Sequence, residues 1–127
     1  MADVSGNTRS KIRRGRKHFE IRIATPEEIS VQGIRTCRNA VKRYGRKQFL
    51  PSAAYFDLLA RTMISHPSDL EVVGVFKDGE LMAFSENHIQ KNGVLFDSIW
   101  FDPQALAKYS SYSLFDYMLT RYLTEQR

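Results

Sequence analysis

The chain has 127 residues, a net charge of +5, 43% hydrophobic residues with eight Phe, six Tyr and one Trp, and a single cysteine. That length and aromatic content fit one packed domain, or part of one, and exclude a disordered chain. No apolar run approaches the ~18 residues that a membrane-spanning helix requires. The N-terminus MADVSGNTRS has no apolar signal core, and one cysteine excludes an intramolecular disulfide or a multi-cysteine zinc site. A cytoplasmic protein without a metal is the expectation.

The charge is unevenly distributed. Residues 1–50 carry 13 Lys/Arg against 4 Asp/Glu, residues 51–68 balance, and residues 69–127 carry 5 basic against 9 acidic groups. A basic end attracts phosphates, nucleic acid or anionic lipid, and it is equally the composition of a solvated helix face. Residues 1–18 form a basic N-terminal segment, with six basic residues between Arg9 and Lys17 and Ile12 as their apolar companion. Asn7-Thr8 can cap a helix there. Gly15 weakens such a helix by about 1 kcal/mol relative to Ala, so a partner or neighbouring domain is expected to order it.

In HFEIRIAT, Phe19, Ile21 and Ile23 alternate with Glu20 and Arg22, the pattern of a half-buried strand. Thr25-Pro26-Glu27-Glu28 opens a helix with a capping hydroxyl, a first-turn proline and acids at the positive end of the helix dipole. Ile29, Gly33/Ile34, Cys37, Ala40/Val41 and Tyr44 form its apolar stripe, and Gly45 ends it. Arg35, Arg38, Lys42, Arg43, Arg46 and Lys47 lie on its other face and tail. Ser52 caps the next helix, with Tyr55, Leu58/Leu59 and Thr62/Met63 on one side, and His66-Pro67-Ser68 stops it. LEVVGVFK, ELMAFSENHI and VLFDSIWF then form a three-strand meander. Its turns are Asp78-Gly79 and Asn92-Gly93, dipeptides that favour tight hairpins. The connection DPQALAKYSSYS leads into the helical pattern SLFDYMLTRYL. The expected class is α+β with a mainly antiparallel sheet: one strand, two helices, a meander and a helix.

Several residues bear chemistry. Ser110, Ser111 and Ser113 stand at the start of the last helix, where unpaired N–H groups and the dipole favour an anion; the plainer role is that one serine caps the helix. Glu86 and Asp97 fall on neighbouring strands and can face one cleft, although charged strand residues ordinarily take the wet face. Asp102-Pro103 is ordinary turn chemistry. His18 and His88 have no partner at metal or triad spacing. Cys37 lies on an apolar stripe, which makes it a packing residue.

The element order resembles the first two-thirds of the GNAT (acyl-CoA N-acyltransferase) fold. The phrases RSKIRRGRK, FEIRIAT and PEEI, then SAAYFDLL, VVGVFKDGELMAFSE and FDPQALAKYSSYSLFDYML, resemble its Fem/CelD-like ("BioF2-like") branch. The resemblance spans roughly Thr8 to the end. It implies a partial GNAT-like domain over residues 19–127 whose C-terminal part lies outside this chain. The phosphate loop Q/R-x-x-G-x-G/A of ordinary members has no counterpart, since Tyr109-Ser110-Ser111-Tyr112-Ser113 contains no glycine. The implied activity is transfer of an acyl or aminoacyl group, from acyl-CoA (acetyl-CoA) or aminoacyl-tRNA, to a small-molecule or peptide amine. Ser110, Ser111, Tyr112 and Ser113 would meet the donor. Glu86 and Asp97 are the candidate bases and Tyr109 the acid toward the leaving thiolate. A homodimer or a second GNAT-like domain is the implied partner. A non-catalytic GNAT-like half-domain and a basic nucleic-acid-binding module are the two other function classes that the sequence leaves open.

Overall fold

The computed structural model describes residues 6–42, 51–106 and 108–125. Helix α1 (Gly6–His18) leads into strand β1 (Glu20–Ile23), helices α2 (Pro26–Lys42) and α3 (Ala53–Ser65), and strands β2 (Leu70–Lys77), β3 (Glu80–Gln90) and β4 (Gly93–Phe101). A single turn α4 (Pro103–Leu106) precedes helix α5 (Ser110–Thr120), which continues as a π-helical turn over Arg121–Glu125. Every strand pairing is antiparallel, and the spatial order β1-β2-β3-β4 follows the chain. This is the expected α+β arrangement. The expected end of α2 at Tyr44-Gly45, with Arg43, Arg46 and Lys47, lies outside the described residues.

The sheet is apolar on both faces, so it must be covered on both. One face buries Val72, Phe76, Leu81 and Phe84 under Ile29 and Cys37 of α2 and Phe56, Leu59 and Met63 of α3. The other buries Val73, Val75, Met82 and Ala83 under Leu114 and Met118 of α5, with Phe19 completing the layer. Ile21 and Ile23 pack on this second layer as the alternation requires. Arg22 points the opposite way. Its guanidinium lies 3.8 Å from the Phe76 ring centre and donates to both carboxylate oxygens of Glu28.

Local signals explain most boundaries. Thr25 Oγ1 accepts from the Glu28 amide at 3.1 Å while Glu28 Oε1 accepts from the Thr25 amide at 2.9 Å, a reciprocal capping box. Ser52 Oγ caps α3 by accepting from Tyr55 N. Asp78 and Gly79 both take positive φ, 52° and 82°, as a two-residue hairpin of the primed type demands.

Four expectations need correcting. The second hairpin turns on Lys91-Asn92, because Gln90 pairs with Gly93, which therefore opens β4. Of the expected α3 stripe, Leu59 and Met63 are buried and Tyr55 packs half-buried against the same core, but Leu58 is exposed, and Phe56 and Ala60 complete the inward face. Phe56 turns inward against Gly33, where a Cβ would stand 2.6 Å from its ring; only glycine lets the two helices approach so closely. Asn7 and Thr8 lie inside the first turn of α1, which begins at Gly6. Finally, α1 is ordered by an element of the same chain. Gly15 is buried against α5, and a Cβ there would sit 2.1 Å from Ser113 Oγ and 2.6 Å from Tyr109 O.

Candidate active site

Two groups of polar side chains stand out, one on the α3 face of the sheet and one at the start of α5, which covers the other face. The first is built on β3. Glu86 is 3% exposed, which overturns the wet-face expectation. A buried carboxylate needs hydrogen-bond partners to offset its desolvation. Glu86 has two: the Tyr55 hydroxyl, reaching down from α3, donates to Oε1, and His88 Nε2 lies 2.7 Å from Oε2. Burial, and then the hydrogen bond to Glu86, push the Tyr55 hydroxyl well above its ordinary pKa, so it stays a donor.

Asp97 joins from β4 through an irregularity in the ladder. Glu86 pairs with Ser98 but Asn87 pairs with Phe96, so Asp97 is the extra residue of a bulge. The bulge lets Phe96 and Ile99, an odd number of residues apart, both pack on the α5 face. It also places Asp97 Oδ2 3.7 Å from His88 Nε2. His88, expected to be partnerless, thus sits between two carboxylates. The structure brings Glu86 and Asp97 together around it. Cys37 is fully buried and its thiol is pushed up to about 12 by burial alone, which suits packing and not nucleophilic chemistry.

The second group is the start of α5. No serine caps this helix: the N-cap is Tyr109, held at φ 63° in the left-handed region with no side-chain cap bond. Such a conformation costs a non-glycine residue on the order of 1 kcal/mol. The three serines lie within the first turn and differ in their engagement. Ser113 Oγ donates to Ile12 O of α1 at 2.8 Å. Ser110 Oγ is buried without a hydrogen-bond partner, and Ser111 is half-buried. Tyr109 and Tyr112 stack edge to face with ring centres 6.1 Å apart. Lys11 Nζ lies 5.1 Å from the Tyr112 ring centre and Arg14 lies 6.0 Å from that of Tyr109. The helix start, with its partial positive charge, therefore carries two further cations from α1. Tyr109 belongs to this group and is not among the partners of Glu86 or Asp97.

Asp102 stands apart from both. Its Oδ1 accepts from the Gln104 amide and its Oδ2 accepts from Asn39 Nδ2, so it caps α4 and ties it to α2. A polar network holds the far end of α5. Arg121 donates to both oxygens of Glu71, Tyr122 donates to Glu71, and Asn87 Nδ2 donates to the Tyr122 hydroxyl. The sequence pattern missed Tyr55 and His88. The available signal was the i, i+2 spacing of Glu86 and His88, which puts both side chains on one face of a strand.

No protein-family model and no curated protein sequence matches the chain. Among solved structures it is similar to the PaiA N-acetyltransferase from Thermoplasma acidophilum in complex with coenzyme A, with a TM-score of 0.67 and 18% identity over 85% of this chain and 74% of that one. It is also similar to the C-terminal DUF2156 domain of a candidate lysylphosphatidylglycerol synthetase from Agrobacterium fabrum (TM-score 0.65, 15% identity), spanning 36% of that chain. A candidate acetyltransferase from Clostridium difficile 630 follows, with a TM-score of 0.57, 14% identity and 68% of its chain covered. The fold is therefore GNAT-like, present over part of these neighbours' length.

Proposed function

We propose that this GNAT-like chain is an acyltransferase that moves an acyl group from a CoA thioester to an amine. The observation that carries the reading is the occurrence, in a GNAT-like fold, of a cationic helix start on one face of the sheet and a buried carboxylate–imidazole cluster on the other. One neighbour of the fold is an acetyltransferase in complex with coenzyme A, which supports the same donor.

In this reading the donor's phosphates meet the first turn of α5, where backbone N–H groups and Ser111 supply donors and Lys11 and Arg14 supply charge, while Ser110, fully buried, lies out of the phosphates' reach. Tyr109 and Tyr112 line that end. Tyr109 thus serves donor binding, and the leaving thiolate takes its proton from solvent. Ser113 contributes by holding α1 in place. The acyl arm follows the edge of β4, where unpaired strand N–H groups are suited to an oxyanion. From Phe101 to Asp97 is about 13 Å at the usual rise per strand residue. On the α3 face the amine nitrogen attacks the thioester carbonyl, the C–S bond breaks, and the ammonium proton passes to the cluster. Glu86 is the base and His88 and Asp97 relay the proton outward. Tyr55 positions Glu86.

The narrower placement in the Fem/CelD-like branch, with an aminoacyl donor, belongs to this proposal. It is supported by the RSKIRRGRK phrase, which forms most of α1 and seats on α5. So does a second GNAT-like domain or a second copy covering the edge of β4. Release of free thiol from acetyl-CoA, followed against a panel of primary amines, tests the reading. Glu86→Gln should lower kcat about 100-fold or more, the usual scale for a lost general base. Thiol release no faster than buffer hydrolysis with every amine would count against it.

A further inference from the structure

The Glu86–His88–Asp97 cluster has the donor set of a metal site as well as that of a base. One carboxylate oxygen of Glu86, one ring nitrogen of His88 and one carboxylate oxygen of Asp97 all lie within 4.8 Å of one another. His88 Nε2 is 2.7 Å from Glu86 Oε2 and 3.7 Å from Asp97 Oδ2. An ion bound about 2.0–2.2 Å from each of three such donors needs donor separations of about 3–3.5 Å, and the observed pair bracket that range.

We propose that Glu86, His88 and Asp97 bind a divalent transition-metal ion, with Zn2+ as the best fit. Three features argue for an ion over a plain surface cluster. One nitrogen and two carboxylate oxygens form a borderline donor set, which suits Zn2+ or Mn2+ better than Mg2+ or Ca2+. The two carboxylates carry a double negative charge, and the described ion pairs of both go to His88. A divalent ion would neutralise that charge and leave His88 neutral, as a ligand must be. The surroundings are also organised for it. The Tyr55 hydroxyl occupies Glu86 Oε1 and leaves Oε2 toward His88, the second-sphere bond that orients a metal-ligating carboxylate. The β4 bulge turns Asp97 to the same spot, and its half-exposed side chain gives the ion a way in. Three protein ligands leave a fourth position for water, the open geometry of a reactive zinc site. Binding replaces the Glu86–His88 hydrogen bond with bonds from both side chains to the ion. The inference does not depend on acyl transfer. If both hold, the ion and the substrate proton compete for Glu86.

Calorimetric titration of the chelator-treated full chain with Zn2+, without CoA or amine, tests this directly. The expected result is saturable binding of one ion per chain. His88→Ala and Asp97→Asn should each weaken it at least tenfold, and His66→Ala, which removes an exposed imidazole elsewhere, should leave it unchanged. Asp97→Asn is near-isosteric at an exposed position, so it tests ligation even if His88→Ala loosens the sheet. Co2+ in place of Zn2+ should give d–d absorption that disappears in Asp97→Asn. Absence of saturable binding, or one-site binding retained at full strength in both His88→Ala and Asp97→Asn, overturns the proposal.

Discussion

Gly15→Ala separates two physical expectations of opposite sign. Helix propensity alone predicts that α1 gains about 1 kcal/mol, because glycine restricted to a helix loses more backbone entropy than alanine. The packing predicts the reverse. The added Cβ would stand 2.1 Å from Ser113 Oγ and 2.6 Å from Tyr109 O. The hydroxyl can rotate away, but it then gives up its bond to Ile12 O, worth about 1 kcal/mol. The carbonyl belongs to the backbone of a residue already held at φ 63°, so relief there requires α1 to move off α5. Overpacking of this kind costs about 1–3 kcal/mol. With the lost hydrogen bond added and the propensity gain subtracted, the net is a loss of about 1–3 kcal/mol. Urea denaturation of Gly15→Ala, Ser113→Ala and the double variant measures it. Ser113→Ala in the Gly15→Ala background should recover only part of the loss, because the clash with Tyr109 O remains. If Gly15→Ala is as stable as the parent or more stable, the close seating of α1 on α5 is wrong.

Three further outcomes follow from named contacts. Tyr55→Phe removes the donor to a buried carboxylate and should destabilise the fold by about 1–3 kcal/mol, measured by the urea midpoint. Phe56→Ala, which empties the space against Gly33 and Phe84, should cost about 3–5 kcal/mol by the same assay. Arg22 holds the Glu28 carboxyl down at about 2 from its ordinary 4.5, chiefly through its hydrogen bonds. A depressed folded-state pKa stabilises above the unfolded value, so this contribution is complete above about pH 5 and fades as pH falls toward 2. Its size is about 1–3 kcal/mol once solvent screening of the partly exposed pair is allowed for. Glu28→Gln should flatten that part of the stability–pH profile, and an unchanged profile would contradict the assignment.

The framework of the fold is legible from local signals. Thr25 with Glu28, Ser52, and Asp78-Gly79 each announce a boundary through chemistry confined to a few residues, and the strands from Leu70 to Phe101 are bounded by turns. What escaped the sequence depends on contacts between distant elements. Leu59 and Met63 of α3 face inward as their spacing says, but Phe56 joins them because Gly33 admits its ring, and nothing within α3 itself marks that. Gly15 reads locally as a weak point in a helix; against α5 it is the contact that seats α1. His88 reads as solitary until a bulge in β4 turns Asp97 toward it and Tyr55 arrives from α3 to bury Glu86. The serines at 110, 111 and 113 read alike in sequence. Their roles diverge because α1 lies over one of them, and the cap falls to Tyr109.

The central claim is that the start of α5, with Lys11 and Arg14 beside it, receives the phosphates of an acyl-CoA donor. Calorimetric titration of acetyl-CoA into the full chain, repeated with the Lys11→Ala/Arg14→Ala double variant and across a salt series, tests it most directly. The account predicts saturable binding that weakens at least tenfold in the variant and falls with rising salt, as phosphate contacts require. No heat and no thermal shift at millimolar acetyl-CoA would contradict it, as would binding that both the variant and the salt leave unchanged.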